Sequence, residues 1–284
     1  MNLPSITLLL QSIVGGLFTG AIYGLLGLGL TLSWGLLRQI NLAHFAFATS
    51  SAYLTYELGT RGVDPLLALL IMPPLFFAIG AGMQVVMTRF RVSPFNSLLI
   101  TFGLTTIIEA ALQWVWTADP RQLESRYARS KLRIGGLFLP TPELITLALS
   151  VIIALTVWLG FRRSDIGKAI RAAAQDAAIA AAFGINQRAL SVGLAGLCAS
   201  LAGVAGVCIA LTYTLSPSQI YSWVGVVFAC VIVGGLGRPL GPLIAGCLIG
   251  VAEAVTMTIT APAWAPLVSF SLLMVALLAR PGRA

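Results

Sequence analysis

Residues 167–185 read Gly-Lys-Ala-Ile-Arg-Ala-Ala-Ala-Gln-Asp-Ala-Ala-Ile-Ala-Ala-Ala-Phe-Gly-Ile, an Ala-rich stretch lying between two long apolar runs and too polar to be one of them. Helical spacing puts Asp165, Lys168, Arg171 and Gln175 on one face, while Ile166, Ile170, Ala173, Ala177 and Phe183 fall largely elsewhere, so the pattern predicts a short amphipathic surface helix. Ser164 or Asp165 can cap its start and Gly184 its end, within a polar segment of about 163–188. A chain that displays such a helix beside the membrane offers a soluble partner something to hold.

Outward from this segment nearly everything is membrane. With 58% hydrophobic and 9% charged residues the chain lacks the polar surface of a soluble domain. Its 17 Lys and Arg against 9 Asp and Glu lie mostly in loops, so the net charge of +8 reads as topology and headgroup contact and argues against nucleic-acid binding. Cys198, Cys208, Cys230 and Cys247 sit in apolar runs without metal-type spacing, which is the pattern of small buried hydrophobes, with no disulfide framework implied.

Hydropathy predicts an all-α polytopic protein forming a single transmembrane domain over 1–284. The candidate spans are Ile6 to about Leu37, Ile40 to Leu58, Asp64 to Thr88, Pro94 to Thr117, Pro142 to Phe161, Leu190 to Tyr213, Ser222 to Gly237, Leu240 to Ile259 and Pro262 to Ala279. The first is long and Gly-rich and is a candidate for a broken helix. The second carries Asn41, His44, Thr49, Ser50, Ser51 and Tyr53, polar enough to line a cavity or to re-enter. Eight or nine crossings are therefore expected. Met1 to Gly20 lacks a basic start and a cleavage-type break, so it reads as a permanent span.

Basic loops set the orientation. Arg89 and Arg91, then Arg162, Arg163, Lys168, Arg171 and Arg188, then Arg280 and Arg283, all fall on one side by parity and mark the cytoplasm; counting back puts Arg38 inside and the N-terminus outside if Ile40 to Leu58 crosses, and the reverse if it does not. Arg121, Arg126, Arg129, Lys131 and Arg133 form an opposing cluster outside, diluted by Asp119 and Glu124.

No catalytic arrangement and no metal or cofactor site is indicated. His44 is the only histidine and has no Cys or His companion at ligand spacing. A Gly-x-x-x-x-Gly-Lys-[Ser/Thr] loop is absent, so a nucleotide-driven step would fall to another subunit. Glu109 and Glu253 are placed inside spans, where a charge costs several kcal/mol, making them candidates for function or for helix packing. Two interrupted stretches complete the candidates for a solute pathway: residues 27–44, ending Leu37-Arg-Gln-Ile-Asn-Leu-Ala-His44, and Val233-Gly-Gly-Leu-Gly-Arg-Pro-Leu-Gly-Pro242. The pathway set is Asn41, His44, Tyr53, Thr101, Glu109, Gly234, Gly235, Gly237 and Glu253; tight helix packing is the alternative reading of the glycines, and a satisfied interior side chain that of His44.

Four motifs in order, Ile40-Asn-Leu-Ala-His44, Ser93-Pro-Phe-Asn-Ser-Leu-Leu-Ile-Thr-Phe-Gly-Leu-Thr105, Gly167-Lys-Ala-Ile-Arg-Ala-Ala-Ala-Gln-Asp176 with Gly184-Ile-Asn186, and Gly234-Gly-Leu-Gly237 with Gly241-Pro242, resemble the LivH-type permeases of branched-chain amino acid ABC importers. The resemblance covers nearly the whole chain. It implies a multi-pass protein of the bacterial inner membrane that pairs with a second permease subunit, identical or related, above two cytoplasmic ATP-binding subunits and below a periplasmic substrate-binding protein. In that scheme the 165–184 segment is the coupling helix, with Asp165, Gly167, Lys168, Arg171, Ala172, Gln175, Asp176 and Gly184 engaging the ATPase. Where the family usually continues Asn-x-Ala-His with Gly and an acid, this chain has Phe45-Ala-Phe47. Relatives also serve urea, short amides and aromatic acids, so the resemblance leaves the solute open. A stand-alone secondary transporter or channel, coupled through Glu109, Glu253 or His44, is the competing class. It gives no reason for the amphipathic segment.

Overall fold

The computed structural model describes residues 5–127, 131–134 and 136–279, so Arg129, Arg280 and Arg283 lie outside the described residues. All nine apolar runs are helical: α1 (Ile6–Leu37), α2 (Ala43–Thr60), α3 (Ala68–Arg89), α4 (Pro94–Trp116), α5 (Thr141–Arg163), then α8 (Gln187–Thr212), α9 (Ile220–Gly234), α10 (Gly241–Ile259) and α11 (Ala265–Ala279), with α6 (Asp165–Gln175) and α7 (Ala177–Ala182) between α5 and α8. Among the described residues seven helical stretches are long and apolar enough to cross a membrane. The expected eight or nine crossings thus resolve differently at two places. The α2 segment is helical but too polar to count, and the apolar stretch Pro262–Leu278 is short.

The Gly-rich α1 is one continuous helix of 32 residues, about 48 Å long, and not the broken one its composition allows. Its glycines recur on one face at four-residue intervals and meet those of α10. A Cβ on Gly16 would lie 2.6 Å from the Gly250 carbonyl oxygen, and one on Gly246 would lie 2.5 Å from that of Gly20. Helices this close exchange backbone contacts along their length, which is how small residues drive association where lipid gives no hydrophobic reward. Ser5 caps the helix by accepting from the Leu8 amide. At its other end the chain leaves through Arg38 at φ 55°.

α8 is buried along most of its length, with α2 packed on one side and α3 on another. The two aromatic residues that follow His44 are core: Phe45 stacks 6.4 Å from Phe228 and Phe47 lies 5.9 Å from Phe76. α4, α5 and α11 are peripheral and carry bare apolar side chains such as Trp114, Ile107, Ile152 and Met274, as lipid-facing surfaces do.

The two ends of the bundle differ in charge as expected. At one end the Arg38 guanidinium donates to the Ala174 carbonyl (3.0 Å), and Arg91 and Arg188 line a shared cavity there. At the other end lies a hairpin of β1 (Lys131–Ile134) and β2 (Leu137–Pro140), antiparallel and held to the start of α1 by Gln11, which donates to the Phe138 carbonyl at 2.8 Å and accepts from its amide at 2.9 Å. Two members of the opposing cluster are engaged locally at this end: Arg121 exchanges backbone bonds with Leu215 (2.9 and 2.6 Å) and its guanidinium donates to the Trp116 carbonyl (3.2 Å), and Arg126 pairs with Asp64. The Asp64 carboxyl, which also accepts from the Leu66 amide at 3.0 Å and the Tyr127 hydroxyl at 2.9 Å, is held below the usual carboxylate range, chiefly by that amide. A depressed folded pKa contributes stability that is present above the unfolded value, about 3.9, and is lost as pH falls through the folded value. Acidification below pH of about 4 is therefore expected to loosen the 117–127 loop, seen as faster proteolysis there, and Asp64→Asn to remove that pH dependence.

Candidate functional site

At the Arg-rich end the amphipathic segment is two helices, not one. Ser164 caps α6 by accepting from the Gly167 amide (3.0 Å), but Asp176 is extended (φ −144°, ψ 106°) and its carboxylate accepts from the Ala178 and Ile179 amides at 2.9 and 3.0 Å. An acid that caps a new helix competes with continuation of the old one, which outweighs the uniform Ala-rich propensity. Gly184 at φ 82° ends the second piece. Asp176→Ala should cost about 1 kcal/mol of local stability, read as faster amide exchange confined to 177–182.

The packed side of α6 is Gly167 and Ile170. Gly167 sits against the Phe161 backbone with no room for a side chain. Arg171 belongs to this side too, because its guanidinium donates to the Phe161 carbonyl and so ties α6 back onto α5. Lys168 pairs with Asp165 at 2.8 Å, which holds the Asp165 carboxyl below its ordinary range. What the segment leaves bare is Ala172, Gln175 and Asp176 together with three large apolar side chains, Ile166, Ile179 and Phe183, the last 84% exposed. Beside it a cavity of about 590 Å³ opens between the ends of α1, α3 and α8 and the segment, with Gln39, Gln84, Arg91, Arg188 and Ser191 among its lining residues.

The nine pathway candidates do not form one site. His44 is buried with its Nε2 at 3.0 Å from the Leu26 carbonyl oxygen and its ring against Gly29, so it joins α2 to α1. Glu253 is buried among α1, α10 and α11, accepting from the Tyr23 hydroxyl at 3.0 Å and from that of Ser269. Glu109 is partly exposed on α4 and accepts from Gln113 at 3.3 Å. Gly234, Gly235 and Gly237 lie at the turn between α9 and α10, at the Arg-rich end. Gly235 and Gly237 adopt φ 93° and 73°, and the Thr31 hydroxyl donates to the Gly235 carbonyl (3.3 Å) and accepts from the Gly237 amide (3.1 Å). Tyr53 is buried at the outer end of α2, its ring 5.3 Å from Trp116.

Apart from the three glycines of one turn, Asn41 and Thr101 are the pair brought together. The Leu42 amide donates to the Thr101 hydroxyl at 3.2 Å, and a small polar cavity of about 10 Å³ is lined by Asn41 and Thr101 with Ser33, Gln39, Gln84 and Ser97. Ser33 and Gln39 belong to the 27–44 stretch read from sequence as a pathway candidate, whereas Gln84 and Ser97 were not singled out for the pathway. Ser97, Thr101 and Thr105 recur every four residues on α4 and are its buried face, so a polar stripe on an apolar helix was the available signal.

Comparison with known proteins gives one consistent result. A family model described as branched-chain amino acid transport system, permease component, matches residues 12–277. The high-affinity branched-chain amino acid transport system permease protein BraD of Pseudomonas aeruginosa is 26% identical over 98% of this chain and 96% of its own length. LivH of Salmonella typhimurium is 24% identical over 96% and 94%. A probable LivH of Methanocaldococcus jannaschii is 27% identical over 81% and 75%. No solved structure matches the chain.

Proposed function

The chain belongs to the branched-chain amino acid transport system permease family, and from that premise we propose that it is the membrane-spanning subunit of an ATP-driven importer that carries branched-chain amino acids inward. The observation that carries the reading is the exposed, two-part α6–α7 segment at the Arg-rich end, bearing Ile166, Ile179 and Phe183 toward the cytoplasm. Bare aromatic and aliphatic side chains ringed by Gln175 and Asp176 form the kind of anchor that a soluble partner's pocket buries. Two cytoplasmic ATPases, a second permease subunit and an external binding protein are the partners this role calls for.

In this reading Gly167 and Arg171 are the joint and not the contact. They fix α6 to the end of α5, so that a push on the exposed face moves the bundle as a rigid body. The two intramembrane acids are far apart in the fold and form no relay with one another: Glu253 accepts from the hydroxyls of Tyr23 and Ser269, and Glu109 on α4 from Gln113. The test is purification of the tagged chain in mild detergent with its co-expressed partners. Co-purifying ATPases whose turnover rises with leucine-loaded binding protein are the expected result. A permease that purifies alone and moves solute down an ion gradient in liposomes would overturn the proposal.

A further inference from the structure

The cavity of about 590 Å³ at the Arg-rich end has two charged side chains in its lining, Arg91 just after α3 and Arg188 in the first turn of α8, and no acid. The ion pairs among the described residues are Arg61–Glu57, Arg126–Asp64 and Lys168–Asp165. Neither cavity guanidinium belongs to one, and neither donates a hydrogen bond to a described residue. Two like charges on one cavity repel, and an anion between them replaces the repulsion with charge-assisted hydrogen bonds.

A second observation points to a ligand. Gln84 is only 4% exposed and lines this cavity, yet its side-chain amide has no hydrogen-bond partner among the described residues. Buried amides are almost always paired, so this one is set for a partner lodged in the cavity. The neighbouring hydroxyls are not free in the same way: Thr88 donates to the Gln84 carbonyl at 2.7 Å and Ser191 to the Arg188 carbonyl at 3.0 Å. Much of the remaining wall is apolar, with Leu36, Met87, Ile170, Leu190 and Leu194 in it. A broad apolar wall with a few convergent polar groups, in a volume within the range of about 300–1,000 Å³, is the form that small-molecule sites take. Two guanidiniums match a single carboxylate on an apolar chain better than they match a polyphosphate.

The walls also belong to two bodies. Leu36, Gln84 and Leu190 come from α1, α3 and α8, whereas Ile170 and Ala173 come from α6 and Ala177 from α7. A ligand that touches both favours the arrangement seen here over any in which the gap closes.

Resting on the importer reading above, we propose that this cavity is a regulatory site for a small carboxylate with an apolar chain, the chemistry of the imported amino acid after release and of its 2-oxo analogue. The carboxylate is held by Arg91 and Arg188, and the chain lies against Leu190 and Leu194. A filled site slows turnover, because the transport cycle has to leave the arrangement that the ligand holds.

The test uses the complete transporter in proteoliposomes of zwitterionic lipid, with the ATPases facing out and loaded binding protein inside. Ser191→Cys, in the cavity wall, is the reporter, and its alkylation by a small maleimide is read by mass spectrometry on the peptide spanning position 191. Leucine added outside is expected to slow both alkylation and ATPase turnover several-fold, whereas leucinamide, which lacks the carboxylate, does neither. Arg91→Gln combined with Arg188→Gln should raise the leucine concentration needed for both effects by about tenfold or more. Equal protection by 4-methyl-2-oxopentanoate makes both acids ligands of the site; protection by leucine alone assigns it to the amino acid. Alkylation that neither acid alters, protection that survives the double arginine substitution, or a position 191 that the reagent never reaches in the assembled transporter overturns the inference. Protection by phosphatidylglycerol in the liposomes and by neither acid overturns it too, in favour of a lipid phosphate. If the unsubstituted transporter moves no leucine, the proposed function fails instead, and protection at position 191 still decides whether the cavity binds a carboxylate.

Discussion

Gly246→Leu is expected to remove the protein from the membrane fraction almost completely. The side chain would have to enter the space of the Gly20 carbonyl and the Gly24 backbone, and backbone, unlike a neighbouring rotamer, has nowhere to turn. Overpacking a yielding core costs about 1–3 kcal/mol, and against backbone on both sides the cost is at the upper end or beyond it, a large fraction of the roughly 5–15 kcal/mol by which native proteins are stable. Steady-state amount should fall by about tenfold or more, as measured by quantitative immunoblot of washed membranes. The control is Gly82→Leu, where a new side chain meets nothing within 4 Å and should leave the amount unchanged. Equal loss in both would mean that helix glycines in general, and not the α1–α10 contact, govern assembly.

Phe183→Asp is expected to act in the opposite manner, leaving insertion intact and abolishing work. Phe183 contributes little to this chain's own packing, being 84% exposed, so its removal costs the fold little. If it is the anchor of an ATPase contact, putting a carboxylate in an apolar pocket forfeits 2 kcal/mol or more, about 30-fold in affinity. Leucine uptake and binding-protein-stimulated ATPase activity should both fall by about that factor, while membrane abundance stays within a factor of about two. Arg171→Glu is the contrasting substitution: it breaks the tie to the Phe161 carbonyl and should disturb the α5–α6 joint, visible as increased protease sensitivity near 164–171. Uptake that survives Phe183→Asp unchanged would place the ATPase contact elsewhere.

The sequence made the helices legible because apolar runs are a local signal. Every run it offers is a helix in the structure, and the Arg-rich end follows from parity. Contacts between distant residues were not legible in the same way. Tyr23 meets Glu253 across 230 residues, and Ser51 donates to Gly203 across 152, so neither an intramembrane acid nor a buried hydroxyl could be judged satisfied or free beforehand. The break at Asp176 was hidden for a different reason. Alanines around it favour helix uniformly, and only the side chain's bonds to Ala178 and Ile179 reveal that the helix restarts. For the candidate site, Asn41 and Thr101 could be named but not joined, since Leu42 meets Thr101 across 59 residues.

The burial of α2 bears on how the chain is made. Synthesis delivers Ala43–Thr60 early, yet the surface that shelters it belongs to α8, Gln187–Thr212, which emerges more than a hundred residues later. A segment whose hydroxyls bond backbone carbonyls within α2 and on α8 gains little from lipid alone. The nascent chain must therefore keep α2 out of the bilayer, or beside the insertion machinery, until α8 arrives. A chain stopped after Arg163 should leave residues 43–60 open to aqueous reagents, and the complete chain should not.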